Sequence, residues 1–440
     1  MIPGYVKLVA DFPLPPVALV RQIFDSARIE DAAAAMADAL ASPVTDSVKP
    51  GMRVAITAGS RGIAQLVPLL SGIVAFVKSR GAHPFIVPAM GSHGGATDEG
   101  QKQALAFLGV TEESVGCPIR SSMETVEVGV LDNGMSVRMD KLAHESDGII
   151  VFNRIKAHTD FRAPIESGIV KMIAIGLGKQ SGADNCHLWG FNNLSYLMTE
   201  MVKVKLARSP ILFGVGSIEN AYDQLKKIVV MSPDRFFDEE PGYLQEAMRC
   251  MPRLPLGPLD EPLASGPLDV LVVDKVGKEF SGTGMDPNIT GRPSSPALSG
   301  GPSVKRIVVL DVSDKSGGNA NGVGAADVTT ERMVGRFDRE SVYMNCLTCG
   351  LLKPGALPLA MPTDKSAIQA AVKTCESTTP DAIRLLRVPN TLHLGHLYAS
   401  EAMLPELASR PGVEILSDPA PMRFDAQGTI LDPWPAQESR

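Results

Sequence analysis

At 440 residues the chain is longer than one ordinary hydrophobic core, so two domains are expected. A hydrophobic share of 44% with 21% charged residues excludes a disordered chain. The net charge is −7, and lysine and arginine are scattered without a basic tract, which argues against a nucleic-acid or anionic-membrane partner.

The N-terminus has no basic segment followed by an unbroken apolar run, so no cleaved export signal is expected. Residues 53–56 read as a strand, 64–80 as a helix with apolar residues at helical spacing, 84–88 as a strand and 98–108 as a helix. Thr97 or Asp98 is placed to cap that last helix. The most apolar stretch, residues 66–77, contains Pro68, Ser71 and Gly72 and is too short to span a bilayer. Further strands are expected at 126–130, 148–152, 211–215 and 228–231, with helices at 194–207 and 235–251. This alternation is the signature of βαβ units.

Residues 251–267 carry five prolines, which neither a helix nor a central strand can continue through. The chain therefore divides into an N-terminal domain of residues 1–262 and a C-terminal domain of residues 263–440. In the second, residues 270–274, 307–311 and 383–388 read as buried strands, and 365–375 and 399–408 as helices. The expected fold class is α/β, as two α/β domains.

Cys346 and Cys349 form the single CxxC, and no second pair offers the other two ligands of a zinc site. Two buried thiols are the better reading. Six cysteines in all make no disulfide framework, so a reducing, cytoplasmic setting is expected. His393 and His396 can share a helix face at i, i+3, but without an acidic or thiol partner nearby they read as surface or packing residues, as do His83 and His144.

The strand at 148–152 feeds a run holding His158, Lys171 and His187. Strand ends are where α/β proteins place their chemistry. Imidazole is the common metal ligand and general base, and a lysine becomes a nucleophile when desolvation or a nearby cation keeps it neutral. The two earlier strands end in glycine-rich loops, Gly59-Ser60-Arg61-Gly62 and Gly91-Ser92-His93-Gly94. Glycines let backbone approach an anion, and Arg61 can grip a carboxylate or phosphate. His93, flanked by Ser92 and Gly94, has no apolar helix face to pack on, which favours a functional role. A nucleotide-binding ligase or transferase is a weaker reading, since neither loop holds a Walker-type Gly-Lys-Ser/Thr or a complete Gly-x-Gly-x-x-Gly.

The ordered set Arg61, His93, His158, Lys171 and His187 resembles the lactate racemase family, whose members use a nickel-pincer nucleotide. The likeness is good over residues 50–192 and loose beyond. It implies a cofactor site in the cleft between the two domains. It implies Lys171 as the cofactor-linking lysine, His187, sixteen positions later, as the nickel ligand, and His93 and His158 as the acid/base pair. Arg61 would lie beside cofactor and substrate. In the second domain Gly284-Met-Asp-Pro-Asn-Ile-Thr-Gly-Arg292 resembles a substrate-contact segment, which makes Arg292 a candidate for the substrate carboxylate.

The chain departs from the family pattern at Ala58, where an acidic residue is usual, and at residues 164–170, which replace a shorter glycine-rich turn. Gly291 and Ser294 stand where a glutamine and a lysine are expected. The resemblance implies racemisation or epimerisation of a 2-hydroxy acid or sugar acid by reversible hydride transfer, with cofactor-biosynthesis enzymes as partners. The alternative is a non-catalytic protein that binds or carries the nickel nucleotide.

Overall fold

The structure, a computed structural model, describes residues 3–257, 266–376 and 379–435; the side chains of His187 and Phe191 also lie outside the described set. The chain enters through β1 (Val17–Gln22) and then builds a separate unit, Ser26–Cys250. Its strands are β2 (Arg53–Ala58), β3 (His83–Pro88), β4 (Thr125–Val130), β5 (Ser136–Asp140), β6 (Gly148–Arg154), β7 (Ile211–Glu219) and β8 (Leu225–Met231). They are joined by helices α1 (Ala32–Leu40), α2 (Leu66–Ser79), α3 (Asp98–Phe107), α4 (Ile169–Ala174), α5 (Lys179–His187), α6 (Phe191–Arg208) and α7 (Phe236–Cys250).

Five of the strands form a sheet in the order β3-β2-β6-β7-β8, parallel except for β8. Central strands of a parallel sheet are covered on both faces and so carry continuous apolar runs. Val54, Ala55 and Ile56 on β2 and Ile149, Ile150 and Val151 on β6 are all fully buried. Thr97 caps α3 as the sequence suggests, its hydroxyl accepting from Gly100 N at 3.1 Å. The strand expected at 126–130 is present, but it pairs with β5 in a separate antiparallel hairpin.

The second unit joins Met1–Asp25 to Met251–Arg440. Its strands are β1 with β9 (Pro267–Val276), β10 (Ser303–Val312), β11 (Val328–Thr330), β12 (Leu359–Met361), β13 (Leu385–Val388), β14 (His396–Ser400) and β15 (Val413–Ile415). They lie in one sheet in the order β12-β11-β10-β9-β13-β14-β1-β15. Leu271 and Val273 of β9 enter one core layer, while Val270 and Val272 enter the other. Strand alternation thus feeds both faces.

Three expectations are corrected here. The division at residues 262 and 263 falls outside the described residues, and the compact units part at Cys250 and Met251. The first 25 residues belong with the C-terminal unit, because β1 hydrogen-bonds between β14 and β15. The helix expected at 399–408 is instead the end of β14, a 3-10 turn and a short helix, Leu404–Ala408. His393 and His396 accordingly share no helix. His393 lies in a loop, hydrogen-bonded to Asn390 at 3.0 Å and edge-on to Phe280, and His396 opens β14.

Candidate functional site

Position in the sheet creates the site of the Ser26–Cys250 unit. The connection after β2 leads to β3 on one side, and the connection after β6 leads to β7 on the other. The loops leaving β2 and β6 therefore diverge, opening a crevice at the carboxyl ends of the strands. The β2–β6 ladder ends at the pair Ile56 and Ile150. Beyond it the buried Thr57 hydroxyl bridges the strands, accepting from Phe152 N at 2.9 Å and donating to Phe152 O at 3.1 Å.

The loop after β2 passes close over α4. A Cβ at Gly59 would lie 3.2 Å from Met172 Cε and 3.8 Å from Asn153 Oδ1. Ser60 follows, its hydroxyl hydrogen-bonded to His93 Nδ1 of the next loop, and then the exposed Arg61. The His93 loop is held from beneath. Gln101 on α3 donates to Gly91 O at 3.0 Å and His93 O at 3.3 Å, while its own oxygen accepts from Lys179 at 3.0 Å. Lys179 is fully buried, donates to Pro88 O at 2.6 Å and pairs with buried Asp140 at 3.0 Å. It adopts φ 53°, an unusual region for a residue other than glycine and the kind of strain found where function requires it.

The loop after β6 is closed at its base by paired backbone bonds between Lys156 and Ser167. The carboxylate of Glu166 fills it, accepting from His158 N at 2.6 Å and Ala163 N at 3.0 Å and pairing with Arg162 at 3.0 Å. Burial pushes the Glu166 pKa up, opposed by Arg162 and the two amides. The ring of buried Phe161 packs on His158 at 4.4 Å between centroids. Asp160 N donates to His158 Nδ1 at 3.0 Å, and His158 Nε2 meets Lys171 Nζ.

Lys171 is the one residue of α4 that is not fully covered. Burial of its ammonium lowers its pKa to about 8. Asp160 and Glu166 oppose the shift, and the Arg61 charge adds to it. The helix is clamped at both ends. Glu240 of α7 accepts from Val170 N at 3.1 Å, and Lys205 of α6 donates to Ile173 O at 2.8 Å and Ala174 O at 2.9 Å. These satisfy backbone groups that a helix end leaves without partners. Gly168 leaves room for the first clamp, because a Cβ there would crowd the buried Glu240 carboxylate.

Of the residues singled out from the sequence, His158 and Lys171 touch, and Arg61 lies near enough to act on Lys171 electrostatically. His93 is tied to the loop of Arg61 through Ser60. His187 is the last residue of α5 and its side chain lies outside the described residues. Arg292, expected to hold a substrate carboxylate, is engaged within its own unit. Its guanidinium pairs with both oxygens of Asp327, at 3.1 and 3.0 Å, and donates to the carbonyls of Val304 and Lys305, at 2.9 Å each. It braces its own unit.

Cys346 and Cys349 lie on one helix and form no disulfide, the first buried and the second half-buried. His144 hydrogen-bonds Ser209 at 3.0 Å, and His83 is exposed at the start of β3. Sequence reasoning missed Ser60, Asp160, Glu166, Lys179, Lys205 and Glu240. Only Asp160 and Glu166 left a local signal, through their closeness in sequence to His158 and Arg162.

Residues 7–194 match the family model of the lactate racemase N-terminal domain, a span that takes in Arg61, His93, His158, Lys171 and His187. Among solved structures the chain is similar to the lactate racemase apoprotein from Thermoanaerobacterium thermosaccharolyticum, with a TM-score of 0.50 and 12% identity. The likeness covers 83% of this chain and 92% of that one. At that identity it is a likeness of fold. No curated protein matches the sequence significantly. Residues 7–194 are thus similar to the lactate racemase N-terminal domain, and the chain shares the fold of a lactate racemase.

Proposed function

We propose that this protein is a racemase or epimerase that inverts a hydroxyl-bearing carbon of a 2-hydroxy acid or sugar acid, using a nickel-pincer nucleotide joined to Lys171. The observation that carries this reading is the contact of Lys171 Nζ with His158 Nε2 at the carboxyl ends of parallel strands. It sets an amine suited to acyl attachment beside an imidazole suited to proton transfer.

The residues present fit such a group. A lysine with its pKa lowered to about 8 has an appreciable neutral fraction near neutral pH. Gly59 and Gly91 keep side chains out of the loops that border it, and Arg61 offers a cation for a carboxylate or phosphate. His187 would be the nickel ligand, since imidazole suits nickel(II). When bound, the nucleotide supplies a reversible hydride acceptor; the protein supplies orientation and proton transfer. His93 and His158, from separate loops, would each take or return the hydroxyl proton, one for each face of the planar ketone. Arg61 would hold the substrate carboxylate.

Arg292, expected as a second substrate clamp, is engaged with Asp327, which supports a second reading, a protein that carries the nickel nucleotide without turnover. The deciding experiment is the intact mass of the chain after co-expression with cofactor-making enzymes and nickel, with Lys171→Ala as control. An added mass matching the thio-nucleotide, absent from the variant, is expected. An unmodified chain, beside a co-expressed lactate racemase that does become labelled, would rule out covalent attachment.

A further inference from the structure

His158 is locked in one protonation geometry by its own loop, and this bears on the state of Lys171. A neutral imidazole carries one N–H and one lone pair. Nδ1 of His158 accepts the Asp160 amide hydrogen at 3.0 Å, so the lone pair must sit there. The ring proton is then on Nε2, the nitrogen that faces Lys171 Nζ.

An ammonium at Lys171 would need to donate into Nε2. The ring would then accept at both nitrogens and hold no proton, a state out of reach near neutral pH. An imidazolium would aim a second hydrogen at the Asp160 amide. The Asp160 carboxylate does not rescue that arrangement, because its oxygen is 3.7 Å from Nδ1, beyond hydrogen-bond range.

From this geometry we propose that, in the chain without nucleotide, Lys171 is held as a neutral amine whose lone pair accepts the Nε2–H of His158. The inference rests on the reading of Lys171 as the linking residue and gives His158 a role before any turnover: it presents the amine in nucleophilic form. Once released from the Nε2–H, that lone pair attacks a thiocarboxyl carbon and forms the C–N bond. Hydroxide leaves that carbon with the bonding electrons and takes up the proton that the nitrogen loses, so that a thioamide and water are formed. An acylated nitrogen no longer offers its lone pair, so attachment would also release Nε2 from this contact.

The surroundings agree. Arg61 on the first loop disfavours the ammonium, whereas Asp160 and Glu166 on the third favour it. Cys186 on α5 would favour it only as a thiolate, and burial pushes that thiol up to about 12. Lys205 on α6 and Glu240 on α7 are directed at the backbone of α4.

The test uses the full chain produced without cofactor-making enzymes. Two-bond proton–nitrogen NMR spectra of histidine-labelled protein, with His158 assigned by its loss in His158→Gln, should show the Nε2–H tautomer at pH 8. An Nδ1–H tautomer or an imidazolium there would overturn the proposal. Acetylation by N-hydroxysuccinimidyl acetate, followed peptide by peptide, should show Lys171 reacting at a clearly lower pH than exposed Lys102 and Lys203, which serve as internal references. His158→Leu removes the donor and should slow Lys171 acetylation at pH 7.5 by about tenfold, against the desolvating effect of leucine. An unchanged or faster reaction would mean that His158 had been accepting from an ammonium. A chain with the Nε2–H tautomer that never takes up nucleotide would remove the racemase reading and leave this inference standing. A chain that takes up nucleotide with the other tautomer would remove only the inference.

Discussion

Glu240 and Lys205 hold opposite ends of one six-residue helix, the carboxylate at its N-terminus and the ammonium at its C-terminus. Each sign matches the helix dipole at its end. A helix this short has little stability of its own, so its orientation depends on such partners. Lys171 sits between them.

Glu240 makes stability depend on pH in a stated direction. Burial raises its pKa from 4.5 to about 7 in the folded protein, so between those values the folded chain binds more protons than the unfolded one. Stability should therefore fall as pH rises from about 4.5 to 7, by up to ~3 kcal/mol from this group at 1.36 kcal/mol per unit. Glu240→Gln should flatten that part of the urea-denaturation profile, and an unchanged slope would show that the carboxyl is not the cause.

Lys205 acts in the opposite direction. Its folded pKa is lowered from 10.5 to about 7, burial being the main cause and Cys186 and Asp140 opposing it. Stability should rise with pH through that window as the unfolded chain keeps the proton longer. In Lys205→Met this rise should shrink, as read from melting temperatures between pH 7 and 10.

Lys179→Met should loosen the His93 loop. The substitution leaves the Asp140 carboxylate buried without its partner, which typically destabilises by about 3–5 kcal/mol. It also removes the donor that fixes the Gln101 oxygen, so hydrogen exchange should speed up over residues 89–97. Exchange unchanged there would detach Lys179 from the loop.

The histidines should separate by function. His93→Ala or His158→Ala should lower turnover by a factor of about 10²–10⁴ with nickel retained, while His187→Ala should lose nickel measured by mass spectrometry. Near-full turnover in either acid/base variant would take that residue out of the mechanism.

Two arginines should give different defects. Arg292→Ala should lower stability by about 1–3 kcal/mol and leave substrate affinity unchanged, because Asp327 and two carbonyls lose their donor. Arg61→Ala should raise KM, and should move Lys171 acetylation to higher pH, since the Arg61 charge helps to depress Lys171.

Much of the fold is legible because buried parallel strands have continuous apolar runs, as Val270 to Val273 do. The place of β1 is not, because Val17 pairs with Ser400 and no local pattern records a partner so distant. Residues 399–408 resemble a helix locally, yet Ala399 pairs with Ala18 and Leu386, and tertiary pairing overrides propensity. At the site, His158, Lys171 and Arg61 stand out as unusual residues at strand ends. Lys205 and Glu240 do not, because a charged residue on an amphipathic helix reads as part of its solvated face, and only the folded chain shows that they turn inward.

The pairing of β1 with β14 and β15 also has a consequence for biosynthesis. β1 leaves the ribosome well before β14 and β15 and must wait for them before it has neighbours. The segment Ser26–Cys250 emerges complete well before then and can fold while translation continues. The Ser26–Cys250 unit is thus an insertion within the other, and deleting β1 would harm the unit that is completed later rather than the inserted one.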